Sequence, residues 1–172
     1  GSGIFAINAP IGQLYGGDCS SDFQNGIMRL VSPEITMPNV TNGNFELAFN
    51  HYVSTEPNWD GGNLKIRIDN APWTLLPASA FTNSGYNGAI NTAAAGNDNP
   101  MEGQDAFTGT DAGSNKGSWG TSVVNLSSLG VTANSTVRFR IEFGCDGCNG
   151  REGWYLDELT VYNCSYALSV SE

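Results

Sequence analysis

The sequence predicts an all-β protein, a jelly-roll β-sandwich of two antiparallel sheets. Many short runs alternate apolar and polar residues, as half-buried strands do. Turn-forming clusters rich in Gly, Asn, Asp and Pro separate these runs, and no capped amphipathic helix is found. The 172 residues suit one domain that is large enough to bury a core. We expect residues 1–165 to form this domain and residues 166–172 to begin a C-terminal linker.

In chain order, strand-like residues first appear at 26–37. Ser32-Pro33 interrupts this run, which predicts an edge strand or two short strands. Residues 45–53 alternate clearly, and the turn that follows them leads into a second alternating run at residues 64–69. We expect these two runs to form an antiparallel pair, with Phe45, Leu47, Phe49, His51 and Val53 on the buried face of the first and Leu64, Ile66 and Ile68 on that of the second.

Residues 81–120 form a long irregular region, which in a compact domain usually has a functional role. Short strands are predicted inside it near residues 105–107 and 118–119. The glycine-rich turn at residues 144–153 predicts a second hairpin of the same plan as the first. The remaining strands are predicted at residues 121–129, 137–143 and 153–162.

Charge and hydropathy exclude several classes of partner. The formal net charge of −10 argues against a nucleic-acid partner, because binding to a phosphate backbone needs a basic face. No apolar run approaches the roughly 20 residues that cross a bilayer, so we expect no membrane insertion. Acidic loops are compatible with hard cations such as Ca²⁺, which take oxygen ligands, although the acidity also serves solubility.

The four cysteines predict disulfides and an oxidising compartment. We expect Cys145–Cys148 to close a small loop and Cys19–Cys164 to join the two ends of the domain. A four-thiolate zinc site and free thiols are the alternatives.

Carboxylates at the strand connections predict a metal site. Glu56 and Asp60 lie in the first turn, Asp146 lies in the second, and Asp157 lies in a strand with two largely apolar faces. A buried carboxylate needs a cation or a metal. We therefore expect Asp157 to join Glu56, Asp60 or Asp146 around a cation at one end of the sandwich. The alternative is an ion pair between Asp157 and Arg29, Arg138, Arg140 or Arg151.

Catalysis is not expected. His51 is the one histidine, and it lies on the apolar side of its strand, where a hydrogen-bonded core histidine is the commoner role. No serine has the context of a nucleophile elbow, and no acid pair stands out. A small hydrolase using His51 or an acid pair is the least favoured alternative.

Aromatic residues in loops predict a ligand surface. Trp59, Tyr86 and Trp119 lie in or near the acidic turn and the long irregular region. Such rings stack on sugars, while Asn and Asp side chains hydrogen-bond the hydroxyls. The alternative is that the tryptophans fill the core or the ends of the sandwich.

Four segments together resemble a known family. SPEI (32–35), FNHYVSTEPNWDGGNLKI (49–66), FTNSGYNG (81–88) and GREGWYLDELTVY (150–162) occur in this order. They resemble the jelly-roll accessory domains beside secreted bacterial metallopeptidases of the immune-inhibitor-A and fungalysin types, which are distant relatives of MAM domains and reelin sub-repeats. In the family this turn is usually rich in Ser or Gly, whereas here it contains the CDGC segment (145–148). Asp146 lies in this turn, so the resemblance supports it as a metal ligand less strongly than it supports the other three acids.

This resemblance implies a non-catalytic, Ca²⁺-stabilised module of a secreted or cell-surface multidomain protein. Glu56, Asp60 and Asp157 match the family's acidic positions. The partner we expect is a polysaccharide or cell-surface glycan, and the alternative is a structural or adhesive spacer. Residues 167–172 are similar to the junction before the sorting domain of proteins exported by the type IX route, so the chain is interpreted as a monomeric fragment of a larger secreted protein.

Overall fold

The computed structural model describes residues 5–7, 25–110, 119–147 and 150–165. Their regular structure is β-strand with three short 3-10 turns, so the all-β prediction is confirmed. No helix within the described ranges is long and apolar enough to span a membrane. The jelly-roll order of connections and the predicted domain limits remain predictions.

Twelve strands in the described part of the chain form two five-stranded antiparallel sheets and one small two-stranded sheet. The first sheet has the order β1-β12-β4-β10-β7. The second has the order β2-β11-β5-β6, with β3 also paired to β11, and β8 pairs with β9. The strands are β1 Phe5–Ile7, β2 Gly26–Val31, β3 Ile35–Thr36, β4 Asn44–Ser54, β5 Gly61–Ile68, β6 Thr74–Leu75, β7 Phe81–Asn83, β8 Gly88–Ala89, β9 Asp105–Ala106, β10 Trp119–Asn125, β11 Thr136–Cys145 and β12 Gly153–Cys164.

The break predicted at Ser32-Pro33 is confirmed. Strand β2 ends at Val31, β3 begins at Ile35, and both pair with β11. The long irregular region does contain short strands: β7, β8 and β9 lie within it.

The core lies between the inner faces of the two sheets. The predicted inward residues of β4 are buried, as are Leu64 and Ile66 of β5, because alternate side chains of a strand share one face. Trp154 of β12 is fully buried. Gly62 packs directly against it: a Cβ on Gly62 would lie 2.0 Å from Cε3 of the Trp154 ring. The two adjacent glycines after Asp60 therefore belong to a strand and permit close packing, rather than forming a flexible turn.

The two predicted hairpins are wrong. Strand β4 lies in the first sheet between β12 and β10, whereas β5 lies in the second sheet between β11 and β6. Strands β11 and β12 are likewise in opposite sheets. Each connection is therefore an arch that crosses from one sheet to the other. The strands joined by an arch do not pair with each other, and all four are hydrogen-bonded to other strands on both sides. Both arches leave the sandwich at the same end.

A β-bulge interrupts β12. Asp157 pairs with Asn50 and Thr160 pairs with Ala48, so two residues of β12 oppose one residue of β4. Glu158 at the bulge has φ +53°. Trp154 and Leu156 face the core before the bulge, and Leu159 and Val161 pack on it afterwards. The extra residue thus keeps apolar side chains inside although the sequence changes phase.

Candidate metal centre

The two arches bring three of the four predicted metal ligands together. Glu56 and Asp60 lie on the first arch, residues 55–60, and Asp146 lies on the second, directly after β11. One carboxylate oxygen from each of the three lies within 4.8 Å of the other two. These residues form what we call the acidic site.

Hydroxyl groups hold the first arch in shape. The Thr108 Oγ1 donates to the Asp60 carbonyl oxygen at 2.6 Å and accepts from the Asn58 amide at 2.7 Å. The Thr55 Oγ1 donates to the same Asp60 carbonyl at 3.0 Å and accepts from the Gly109 amide at 2.8 Å. Asn58 has φ +66°, a conformation that asparagine tolerates better than most residues. The arch is therefore fixed by the chain segment at 108–109 rather than by its own residues alone.

The Asp60 carboxylate is the most unusual group of the site. Its residue is 1% exposed, and its Oδ1 accepts a hydrogen bond from the Asp146 amide at 3.2 Å. Its Oδ2 is buried and has no hydrogen-bond partner within the described residues. Burial raises the pKa of Asp60, and repulsion from Asp146 and Glu56 adds to this, giving a pKa of about 8 despite the backbone hydrogen bonds. A charged Asp60 requires positive charge at this place.

The donor set fits a hard cation. Ca²⁺ binds oxygens at about 2.3–2.6 Å, so two oxygens on one ion are at most about 5 Å apart. The carboxylate oxygens of Glu56, Asp60 and Asp146 all lie within 4.8 Å of one another, so one ion could contact all three. All three donors are carboxylate oxygens, which suit Ca²⁺ or Mg²⁺ better than Zn²⁺.

No family model matches the chain, and no curated protein matches its sequence significantly.

Asp157 does not join the acidic site. It is partly exposed at the bulge of β12, and its Oδ1 accepts from the Glu158 amide at 2.8 Å. The expected low-dielectric setting of Asp157 is wrong, because regular alternation places Asp157 on the outer face together with Tyr155. The bulge that follows puts Leu159, rather than Glu158, on the core side. The buried acid that pairs with arginine is instead Glu142, which contacts Arg29, Arg140 and Lys65.

The three predicted ligand-binding aromatics occupy different environments. Trp59 is half-buried in the first arch, and its carbonyl accepts from the Asn99 amide group at 2.7 Å. Tyr86 is partly buried, packs on Phe107, and hydrogen-bonds the backbone of Leu64 through its hydroxyl. The expectation that Tyr86 is an exposed loop residue is wrong, since its hydroxyl completes the hydrogen bonding of β5. Trp119 is 53% exposed on β10.

His51 is a hydrogen-bonded core residue. Its Nδ1 accepts from the Trp154 Nε1 at 3.1 Å, so its Nε2 carries the proton and donates to the Ser122 Oγ at 2.9 Å. The Ser122 hydroxyl donates onward to the Ser84 carbonyl. Both ring nitrogens are thus engaged in the core, and burial lowers the pKa of His51 to about 4.

His51 makes a defined contribution to acid sensitivity. Its folded pKa of about 4 lies below the ordinary 6.5, so the unfolded chain binds the extra proton first as the pH falls. The contribution of neutral His51 is complete above pH 6.5 and is lost between about 6.5 and 4. We expect the stability difference between wild type and His51→Gln to shrink by about 3 kcal/mol across this range. Urea unfolding at several pH values measures it, and a constant difference would contradict the assignment.

The cysteines do not form a disulfide within the described residues. Cys145 and Cys164 have no disulfide partner among the described residues. Burial, followed by the negative charges of Asp60 and Asp146, raises the pKa of the Cys145 thiol to about 12. Cys19 and Cys148 lie outside the described residues, so both predicted pairs, Cys145–Cys148 and Cys19–Cys164, stay predictions.

Sequence reasoning missed the residues that position the acidic site. Thr108 lies in a region that reads as irregular, and Thr55 directly follows β4 with no motif around it. Thr108 bonds the Asp60 carbonyl from 48 residues away. Thr55 lies five residues from Asp60, but it is held by the distant Gly109 amide, so no local pattern indicated either residue.

Proposed function

We propose that this chain is a non-catalytic β-sandwich module that is stabilised by a Ca²⁺ ion held between its two arches by Glu56, Asp60 and Asp146. The observation that carries the proposal is the buried Asp60 carboxylate, one of whose oxygens has no hydrogen-bond partner among the described residues. An isolated buried carboxylate is costly, and a divalent cation would offset both its desolvation and the repulsion from the two neighbouring acids.

Calcium fits the acidic site better than magnesium does. Asp60 and Asp146 are 1% and 7% exposed, so an ion that contacts them has to give up much of its water. Mg²⁺ dehydrates reluctantly and demands a near-ideal octahedron, whereas Ca²⁺ accepts irregular oxygen ligands. The ligands come from two separate arches, and such a set is more readily satisfied by the larger ion.

A secreted or cell-surface location is part of the proposal. We expect the acidic site to bind Ca²⁺ with the affinity of extracellular modules, on the order of 10⁻⁴–10⁻³ M. The resemblance to accessory domains of secreted metallopeptidases points to the same location. The hydrogen bonds of His51 support a non-catalytic role, because neither ring nitrogen faces solvent as a general base would need to.

Calcium titration tests the proposal. The chelator-treated protein should bind Ca²⁺ in a calorimetric titration, and its melting temperature should rise with Ca²⁺ concentration by mass action. At a hundredfold excess over Kd, the added stability is about 2.7 kcal/mol. Mg²⁺ at the same concentration should give a smaller rise. Absence of both binding heat and a thermal shift with Ca²⁺ would refute the proposal.

A further inference from the structure

An aromatic row crosses the outer face of the first sheet. Trp119, Tyr52 and Tyr155 are direct cross-strand neighbours on β10, β4 and β12. The ring centroids of Trp119 and Tyr52 are 6.2 Å apart, and those of Tyr52 and Tyr155 are 5.7 Å apart. Because adjacent strands are about 4.8 Å apart, the row spans roughly 10 Å. Trp119 is the most exposed large hydrophobic residue in the described part of the chain, at 53%.

A polar row lies directly beside the aromatic one. Thr121, Asn50 and Asp157 are again cross-strand neighbours, and the bulge adds Glu158 next to them. The Thr121 hydroxyl donates to the Asn50 Oδ1 at 2.6 Å, and the Asn50 Nδ2 donates to the Glu158 Oε2 at 2.7 Å. These hydrogen bonds fix the orientation of the row before any ligand arrives, which reduces the entropy cost of binding.

The polar row and Trp119, at one end of the aromatic row, border an open groove. Its volume is about 370 Å³, within the range of small-ligand sites. The groove is lined by Asn50, Trp119, Gly120, Thr121, Asp157 and Glu158. An exposed indole next to oriented hydrogen-bonding groups thus occurs at the start of a strand of the first sheet.

We propose that this face binds an uncharged polysaccharide, with Trp119 stacking on one sugar ring and Asn50, Asp157 and Glu158 hydrogen-bonding its hydroxyls. The C–H face of a pyranose is apolar and complements the negative face of an aromatic ring. Carboxylates and amides supply both acceptors and donors for vicinal hydroxyls. The length of the aromatic row suits a short run of sugar units lying across the strands.

The negative charge of the groove and of the whole chain favours an uncharged ligand over an acidic one. Asp157 and Glu158 border the groove, and the whole chain carries −10, so sulfated or uronate polysaccharides are repelled. An ammonium ligand is favoured when several aromatic faces surround it, whereas here Trp119 is the one largely exposed ring along the row.

Affinity electrophoresis tests the proposal. The full chain is run through native gels that contain a soluble β-1,4-glucan, a β-1,3-glucan, a xylan, a galactomannan or, as the acidic arm, polygalacturonate. We expect retardation by at least one of the four neutral polymers and none by polygalacturonate. Trp119→Ala should weaken the binding about tenfold or more, because stacking is the main apolar contact. Trp73→Ala is the matched control, since Trp73 lies under Arg140 of the second sheet.

The outcomes separate this proposal from the calcium proposal. Migration unaffected by every neutral polymer, retardation by polygalacturonate alone, or wild-type retardation of Trp119→Ala would each overturn the sugar site. The groove shares no residue with the acidic site. Asp60→Asn should therefore keep its polysaccharide binding even though its calcium response is lost. Circular dichroism of each variant confirms that the fold is intact.

Discussion

Replacing Asp60 by asparagine should abolish the calcium response and, at the same time, stabilise the calcium-free protein. The amide keeps an acceptor for the Asp146 backbone N–H but removes a carboxyl group that, buried beside Glu56 and Asp146, must either stay charged or take up a proton on folding. Removal of this cost should raise the calcium-free stability by roughly 1–3 kcal/mol at neutral pH. The variant would keep the Glu56 and Asp146 carboxylates but lose the most deeply buried of the three, whose charge Ca²⁺ is expected to offset.

Differential scanning calorimetry with chelator and with Ca²⁺ measures both effects. Asp98→Asn is the matched control: Asp98 is exposed and lies outside the acidic site, so its variant should respond to Ca²⁺ like the wild type. A wild-type calcium shift in Asp60→Asn would show that the ion, if bound, is held elsewhere. Lower calcium-free stability of this variant would show that the Asp60 charge is already compensated.

The same carboxylate sets a pH dependence of opposite sign to that of His51. The folded pKa of Asp60 is about 8, above the ordinary 3.8, so the calcium-free folded protein holds a proton that the unfolded chain has released. Its contribution to stability is present below about pH 4 and is lost as the pH rises towards 8. Calcium displaces this proton, and the stabilisation by Ca²⁺ should therefore increase over this range.

Gly62→Ala should destabilise the protein by at least about 3 kcal/mol. The new Cβ would lie 2.0 Å from Cε3 and 2.4 Å from Cζ3 of Trp154, a ring that is fully buried and hydrogen-bonded to His51. Neither β5 nor β12 can retreat easily, because each strand is paired on both sides. Overpacking of this kind forces backbone shifts or an unfavourable side-chain rotamer.

Chemical denaturation measures the loss, and Gly26→Ala is the control. No atom of the described residues lies within 4 Å of a Cβ at Gly26, so this substitution should change stability by less than about 0.5 kcal/mol. Trp154→Phe removes the part of the ring that collides. In a Trp154→Phe background, Gly62→Ala should cost far less than it does in the wild type, and an unchanged cost would exclude the ring as its cause.

Alternation alone was sufficient to predict the strands that build the core. In residues 45–53 and 64–66, the side chains that a period of two assigns to the inner face are buried. The pairing of these strands could not be predicted in the same way. Alternation shows which face of a strand is buried but not which strand lies beside it, and a six-residue connection can either form a hairpin or cross a sandwich.

The bulge had a signal in the sequence that the period-two interpretation missed. In WYLDELTV, Trp154 and Leu156 belong to one phase, and Leu159 and Val161 belong to the other. A single strand with both sets inside needs one extra residue between them. If the strand is taken as regular, Asp157 falls on the same face as Leu159. That assumption led to the wrong prediction that Asp157 lies in an apolar setting.

The acidic site was predicted from the chemistry of its residues rather than from their position. Glu56, Asp60 and Asp146 were selected because carboxylates in glycine-rich turns suit hard cations, and the arches bring them within one ion's reach. The depth of Asp60 and the threonine hydroxyls that hold its carbonyl depend on chain segments about 50 residues away. Such long-range contacts leave no local pattern.

The bulge also makes Glu158 a removable residue. Asp157 and Thr160 both face outward, opposite Asn50 and Ala48, and Leu159 lies between them facing the core. Deleting Glu158 would join Asp157 to Leu159 in a regular alternation, whereas deleting any residue before Asp157 would reverse the faces of the residues on one side of the gap. Glu158 thus has the character of an insertion into an otherwise regular strand, one that adds a carboxylate to the outer surface and leaves the interior unchanged.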